Sequence, residues 1–352
     1  MDKFLYRTKS SRLLRSWLLS LFISLWVTSS QGKEYMLKDT LDFCVMSYNV
    51  ENLFDCHHDS LKRDYEFLPS STRHWTYRKY RKKLDDIARV ILAVGQWNPP
   101  ALVGLCEIEN DSVLHALTNY SLLRTAKYRY LITHSDDERG IDVGLLYQRQ
   151  LFKPVQVEML KVPRPQGIQR PTRDILHVSG LLINLDTLDI LVCHFPSRAG
   201  GAQVSKPYRL SAAATARRCV DSLYRVRQTP QIIIMGDFND YAHNPSIQHI
   251  LGNQPALHHL LLPQTSPKDY GTYKYQGEWG LLDHLIVSPE LLNPNAPFFV
   301  PANSGHIFRA DFLLTEDRKF GGVQPFRTYR GMKYQGGVSD HLPVWAIFRL
   351  VY

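Results

Sequence analysis

The feature that most constrains this chain is a series of short apolar runs, several of which stop on a polar residue. Residues 43–48, 101–107, 143–147, 155–160, 178–184, 189–194, 231–236, 282–287 and 344–350 read as strands. Several are near-continuous apolar segments, the pattern of a sheet covered on both faces. Amphipathic spacing predicts a helix over 77–94, with Leu84, Ile87, Ala88, Ile91 and Leu92 on one face. Shorter helical patterns cover 113–119, behind Asp111 and Ser112 as cap residues, and 208–224. No fixed-period repeat or long linker breaks the alternation after residue 33, so one continuous α/β domain over 33–352 is expected. Polar loops at 56–76, 161–173, 252–280 and 315–338 have the length of loops that line a site.

The first 32 residues follow different rules. Lys3, Arg7, Lys9, Arg12 and Arg15 stand against Asp2 alone, ahead of the apolar run WLLSLFISLWV (17–27) and the small residues Thr28, Ser29, Ser30 and Gly32. That run is about half of what a membrane span needs. The segment 1–32 therefore reads as a signal peptide cleaved near residues 30–32, which predicts a secreted or periplasmic protein with no stable membrane span. Its loss takes away five cations and one acid and lowers the formal net charge from +9 to +5. The remaining surplus favours polyanionic partners and says nothing of the fold. The five cysteines, Cys44, Cys56, Cys106, Cys193 and Cys219, are odd in number and lie mostly inside apolar runs. They read as small core residues and not as a disulfide framework.

Chemistry-bearing side chains gather where predicted strands end, the place where a layered sheet opens toward a crevice. Asn49 follows FCVMSY, Glu107 follows ALVGLC, His194 follows DILVC, Asp237 and Asn239 lie in GDFND, and Asp340 and His341 precede the last strand. In order, the runs SYNVENLFD, LCEIEN, DVGLLY, CHFPSR, GDFND, LLDHLIVS and SDHLPV resemble the endonuclease/exonuclease/phosphatase superfamily across residues 43–350. Deoxyribonuclease I, exonuclease III, neutral sphingomyelinases and inositol-polyphosphate 5-phosphatases belong to it.

The resemblance implies a four-layer α/β sandwich of two packed mixed β-sheets flanked by helices. It also implies hydrolysis of phosphoester bonds with a divalent metal: Mg²⁺, with Mn²⁺ or Ca²⁺ as alternatives. Hard oxygen ligands suit that ion. Glu107 is the principal ligand expected, with Asn49 beside it and Asp340 reaching the metal directly or through water. By the same resemblance Asp237 deprotonates the attacking water, Asn239 holds the geometry, His341 acts on the scissile phosphate and Asp283 orients His341. His194 stands where deoxyribonuclease I and the sphingomyelinases carry His, and Asp142 falls where a carboxylate partners that His, a pairing that would raise the imidazole pKa. Arg173 lies near the position of a phosphate-contacting arginine, and Arg198 follows His194 in HFPSR; both are expected to bind substrate.

Two segments lie outside those motifs. The run RHWTYRKYRKK (73–83) reads either as a nucleic-acid contact or as a solvated helix face, and YGTYKYQGEW (270–279) as a rim hairpin or a flank of the cleft. The expected protein is a monomeric, exported, metal-dependent phosphodiesterase, an endonuclease acting on nucleic acid. A phosphomonoesterase or a sphingomyelinase-like lipid phosphodiesterase is the rival, with PFFV (297–300) as a candidate membrane contact. A non-catalytic surface-binding module is a remoter one, since it would be expected to have lost some of these residues and all are present.

Overall fold

A computed structural model describes residues 39–96, 98–168, 170–198, 200–262 and 269–352. The expected signal peptide lies outside them. In chain order the strands are β1 (Thr40–Leu53), β2 (Leu102–Ile108), β3 (Arg129–Ile132), β4 (Asp142–Tyr147), β5 (Phe152–Leu160), β6 (Ile175–Leu182), β7 (Thr187–His194) and β8 (Gln231–Asp237). They continue with β9 (His258–His259), β10 (Tyr273–Tyr275), β11 (Glu278–Gly280), β12 (Asp283–Val287), β13 (Phe298–Phe299), β14 (Gly305–Ile307), β15 (Leu314–Glu316), β16 (Val323–Pro325), β17 (Tyr329–Arg330), β18 (Lys333–Tyr334) and β19 (Val344–Val351). The helices are α1 (Tyr77–Gly95), α2 (Asp111–Tyr120), α3 (Ala202–Val226) and α4 (Pro245–Leu251).

Two mixed sheets carry the fold. One runs β13-β19-β1-β2-β4-β3, with β14 also on β19, and the other β5-β6-β7-β8-β12-β9. Strands β1 and β2 are parallel, as are β7 and β8, and the remaining neighbours are antiparallel. Alternation along each strand sorts the apolar residues into three clusters. Phe43 and Val45 of β1, Leu188, Ile190 and Val192 of β7, Ile233 and Met235 of β8, and Leu285 and Val287 of β12 fill the space between the sheets. The alternate residues of β1 pack under α1 and α2, and those of β7 and β8 pack under α3 and α4. The result is the four-layer sandwich that the motifs implied.

Local departures have local causes. Strand β1 continues to Leu53 because Glu51 and Asn52 take left-handed backbone, φ 52° and 56°, and absorb a register shift against β2. Helix α3 begins at Ala202 and passes through Pro207, where the sequence pattern started it only at Tyr208. The short α4, with Pro245 in its first turn, has too little periodicity to be read from sequence. Half of PFFV is core: Phe298, stacked on Phe348, and Val300 are buried, while Phe299 is half-buried and Pro297 exposed. All five cysteines are free, three of them buried, as expected of small core residues.

Candidate active site

The same alternation delivers the site. On β1, β7, β8 and β12 the inter-sheet rows run onward to Asn49, His194, Asp237 and Asp283, so four polar side chains continue one apolar layer at one edge of the sandwich. Register pairs two of them with Asp237: His194 from β7 and Asp283 from β12 both lie opposite it. Glu107 reaches this edge differently. On β2, Val103 and Leu105 face the helices, and Glu107 would follow them. The backbone instead passes through φ +65° at Glu107, the register to β4 slips between Cys106 and Ile108, and Ile108 takes the helix-facing place. Gly236 is required where it stands: at φ +143°, a Cβ there would lie 1.8 Å from the Cys193 carbonyl oxygen.

Asp237 is the centre. Its Oδ2 accepts from Asn49 Nδ2 at 2.9 Å and from Asn239 Nδ2 at 3.2 Å, and its Oδ1 accepts from the Asn239 backbone N–H at 2.9 Å. Asn239, at φ 51°, occupies left-handed backbone that asparagine tolerates. His341 Nδ1 donates to Asp283 Oδ2 at 2.7 Å, and its Nε2 lies 3.8 Å from Asp237 Oδ2. Asp237, Asp283 and His341 have ligand-type atoms within 4.8 Å of one another. Burial pushes Asp237 up to about 7. Burial alone would lower His341, but Asp283 and Asp237 raise it well above its usual range, so this trio holds an imidazolium between two carboxyls. The trio thus carries exchangeable protons as well as metal-ligating atoms.

Glu107 offers a different surface. Its Oε2 accepts from the Asn52 backbone N–H at 2.8 Å, and among the described residues its Oε1 is met only by His194 Nε2, 3.9 Å away. His194 Nε2 also lies 3.7 Å from Asp237 Oδ2, while its buried Nδ1 has no partner. Burial, helped by the charges of Arg173, Arg139 and His341, pushes this imidazole well below its ordinary range.

Several of the expected residues have partners of their own. Asp142 does not partner His194: it accepts from Thr133 Oγ1 and from the Ser135 backbone N–H at 2.9 Å, and His194 is driven neutral where a carboxylate pair would have charged it. Asp340, expected at the metal, pairs with Arg327. Arg173, expected to bind substrate, is buried and donates to the Phe195 carbonyl at 2.8 Å and to Asp137 at 3.3 Å. Arg198 remains partly exposed over the Tyr241 ring, 4.7 Å from its centroid and 4.0 Å from Asp240.

The basic run 73–83 is fastened to the protein. Lys79 donates to the carbonyls of Arg73 and His74 at 3.0 and 2.8 Å, and Arg73 pairs with Glu66 at 2.7 Å. Lys82 pairs with Asp86, Arg81 donates to the Tyr120 carbonyl, and among the described residues only Arg78 is both exposed and without a partner. Lys83 is buried, with Nζ on the Glu51 carbonyl at 2.6 Å, Thr328 Oγ1 at 2.5 Å and the Val338 carbonyl at 3.1 Å. The segment 270–279 carries the hairpin of β10 and β11 and flanks the site: its Tyr273 ring lies 5.0 Å from His341.

Sequence reasoning did not single out Glu51, Lys83 or Arg139. Glu51 accepts from the backbone N–H of Thr328 and Tyr329 at 2.6 and 3.3 Å, which ties the end of β1 to the loop before His341. Arg139 reaches Asn52 Oδ1, and its Nη2 lies 4.0 Å from Glu107 Oε2.

Comparison with known proteins agrees with this architecture. The sequence profile of the endonuclease/exonuclease/phosphatase family matches residues 44–349. A family protein from Bacteroides thetaiotaomicron is 15% identical and superposes with a TM-score of 0.56, covering 89% of this chain and 96% of its own. Truncated TDP2 of Caenorhabditis elegans gives 14% identity and a TM-score of 0.54, with 88% and 97% covered. The human Nocturnin catalytic domain, solved with a bound sulfate anion, gives 16% and 0.52, with 88% and 97% covered. No curated protein matches the chain.

Proposed function

The chain belongs to the endonuclease/exonuclease/phosphatase family, whose members hydrolyse phosphoester bonds, and from that premise we propose that it is an exported, divalent-metal-dependent phosphodiesterase acting on nucleic acid. The observation that carries the reading is the continuation of the inter-sheet layer into Asn49, His194, Asp237 and Asp283, with His341 seated on Asp283 and Glu107 beside them.

The residues fit a hard cation. Glu107 presents a carboxylate oxygen that accepts no hydrogen bond among the described residues, and Asn49 brings an amide oxygen to the same edge. When bound there, Mg²⁺ or a similar ion would neutralise charge on the phosphoryl oxygens. The protein's own groups account for the protons. Asp237, held by two asparagines and raised toward neutrality, is suited to take a proton from the attacking water. His341, charged and fixed through Nδ1 by Asp283, presents Nε2–H to a phosphoryl oxygen or to the leaving group. Neutral His194 offers a hydrogen bond from Nε2 between Asp237 and Glu107 without adding a cation.

Nucleic acid is preferred over lipid because Phe298 and Val300, half of the PFFV segment, are spent in the core, and because TDP2 of Danio rerio, of the same fold at 14% identity, has been solved with a single-strand DNA product. Export rests on the signal-like segment 1–32. The deciding measurement is hydrolysis of plasmid DNA, RNA, sphingomyelin, inositol phosphates and an aryl phosphodiester, with Mg²⁺ and with excess chelator. Metal-dependent cleavage of DNA or RNA, lost in Glu107→Ala, is expected. Full activity in chelator, or in that variant, would overturn the metal assignment, and turnover of sphingomyelin alone would replace the substrate.

A further inference from the structure

A phosphodiester carries its charge on two non-bridging oxygens that gain negative character toward the transition state, and the groups described so far offer them few fixed donors. Four arginines surround the cleft. Arg173 is buried on Asp137 and the Phe195 carbonyl, Arg327 is held by Asp340, and Arg198 lies over Tyr241 toward Asp240. Arg139 differs from all three. Its side chain is 39% exposed, it approaches Glu107, and its charge reaches His194. Only Nη2 is engaged, with Asn52 Oδ1, so Nε and Nη1 are free among the described residues.

The mount beneath Arg139 is rigid. Residues 137–140 (DERG) form a turn closed by the Gly140 N–H on the Asp137 carbonyl at 3.1 Å, with Gly140 at φ +76°. Asp137 Oδ1 accepts the Arg139 backbone N–H at 3.0 Å, and its Oδ2 accepts Arg173. Lys62 donates to the Ser135 and Asp137 carbonyls at 2.8 and 3.0 Å, which fastens the turn from a second segment. A turn so held fixes the origin of the guanidinium before any ligand arrives, which is what electrostatic preorganisation requires.

We propose that Arg139 is the arginine that contacts the scissile phosphate, the second N–H of Nη2 and the free nitrogen beside it forming a fork on the non-bridging oxygens next to Glu107. The inference rests on the hydrolase reading above. A planar fork recognises a tetrahedral oxyanion in a way that an ammonium does not, so charge alone will not replace it.

The test uses the full chain and an aryl phosphodiester, with inorganic phosphate as a competitive probe. Arg139→Ala should lower kcat/KM about a hundredfold, the order found when one oxyanion donor is removed. The same variant should need about tenfold more phosphate for half-inhibition, because that ion uses the same fork. Arg139→Lys should fall between the two proteins on both readings. Unchanged turnover in Arg139→Ala would overturn the proposal. So would lost turnover with unchanged phosphate inhibition, since the arginine would then act only through Glu107 or Asn52. A wild-type protein that leaves the ester intact would remove the hydrolase reading itself, and this inference with it.

Discussion

Two buried histidines in the second sheet have opposite fates. His177 points to the helix side of β6, where Nδ1 meets Glu158 at 3.0 Å and Nε2 meets Asp189 at 3.2 Å. Asp189 is also held by Arg227 and by Ser179. Burial works against the charge of His177, but these partners, with Cys219, raise it to about 10. One strand over, His194 faces the inter-sheet side, lies near the charges of Arg173 and Arg139, is driven neutral, and keeps a buried Nδ1 with no partner. The first network is closed within the protein. The second leaves His194 Nδ1 and Asp283 Oδ1 unmatched, and buried polar atoms are rarely left so without a ligand or water to complete them.

The largest effect that could break this contrast is a swap of phenotypes. His341→Ala in the open network should cost about two to four orders of magnitude in kcat with little change in melting temperature. Asp189→Ala in the closed network should do the reverse. It removes the shared partner of His177 and Arg227 and should destabilise by about 3 kcal/mol while kcat at 25 °C stays near wild type. Steady-state kinetics beside thermal melts decide the matter. A His341→Ala protein that melts early but turns over normally would make the cleft structural.

The same pairing fixes a pH signature. His177 is raised from its ordinary 6.5 to about 10, so its contribution to stability is fully present below pH 6.5 and is lost as pH rises through about 10. Seen from the partners, hydrogen bonds hold Glu158 and Asp189 below the usual carboxylate range, so the interaction also fades as pH falls through their lowered values. The melting-temperature gap between wild type and His177→Asn should therefore narrow steadily between pH 6.5 and 10. A constant gap would mean that His177 is neutral in the fold and that the two regions do not differ in the way described.

Much of this was legible in the chain because a strand has a period of two. Once Val192, Met235 and Leu285 are assigned to the core, the positions of His194, Asp237 and Asp283 follow, and the motifs name their chemistry. What stayed hidden depended on departures from that period or on long-range partners. Glu107 reaches the cleft only through a bulge. Asp142 was matched to His194 by motif position, but nearby donors, Thr133 and Ser135, decide where its carboxylate points. Arg139 sits in a tight turn with no apolar run to announce it. Lys83 looks in sequence like one more surface cation, because its three acceptors come from β1, from the start of the 328–330 segment and from the loop before His341.

The smallest predicted effect concerns the basic run 73–83, which the sequence offered as a nucleic-acid contact. Its cations belong to the closed kind of network: Lys79, Arg81, Lys82 and Arg73 all meet carbonyls or carboxylates of the protein, and Arg78 alone has no partner among the described residues. A cation already held by protein oxygens releases few counterions from a phosphate backbone, so the run contributes little to binding. Arg78→Ala should leave aryl phosphodiester hydrolysis unchanged and alter the log–log salt slope for DNA cleavage by about one unit at most. Neutralising Lys79 and Lys82 together should instead lower the melting temperature and depress both substrates in parallel, because those ammonium groups hold α1 against the 329–336 segment. Selective loss of DNA cleavage from the double variant, with the small ester untouched, would restore the run as a binding surface and erase the distinction drawn between the two regions.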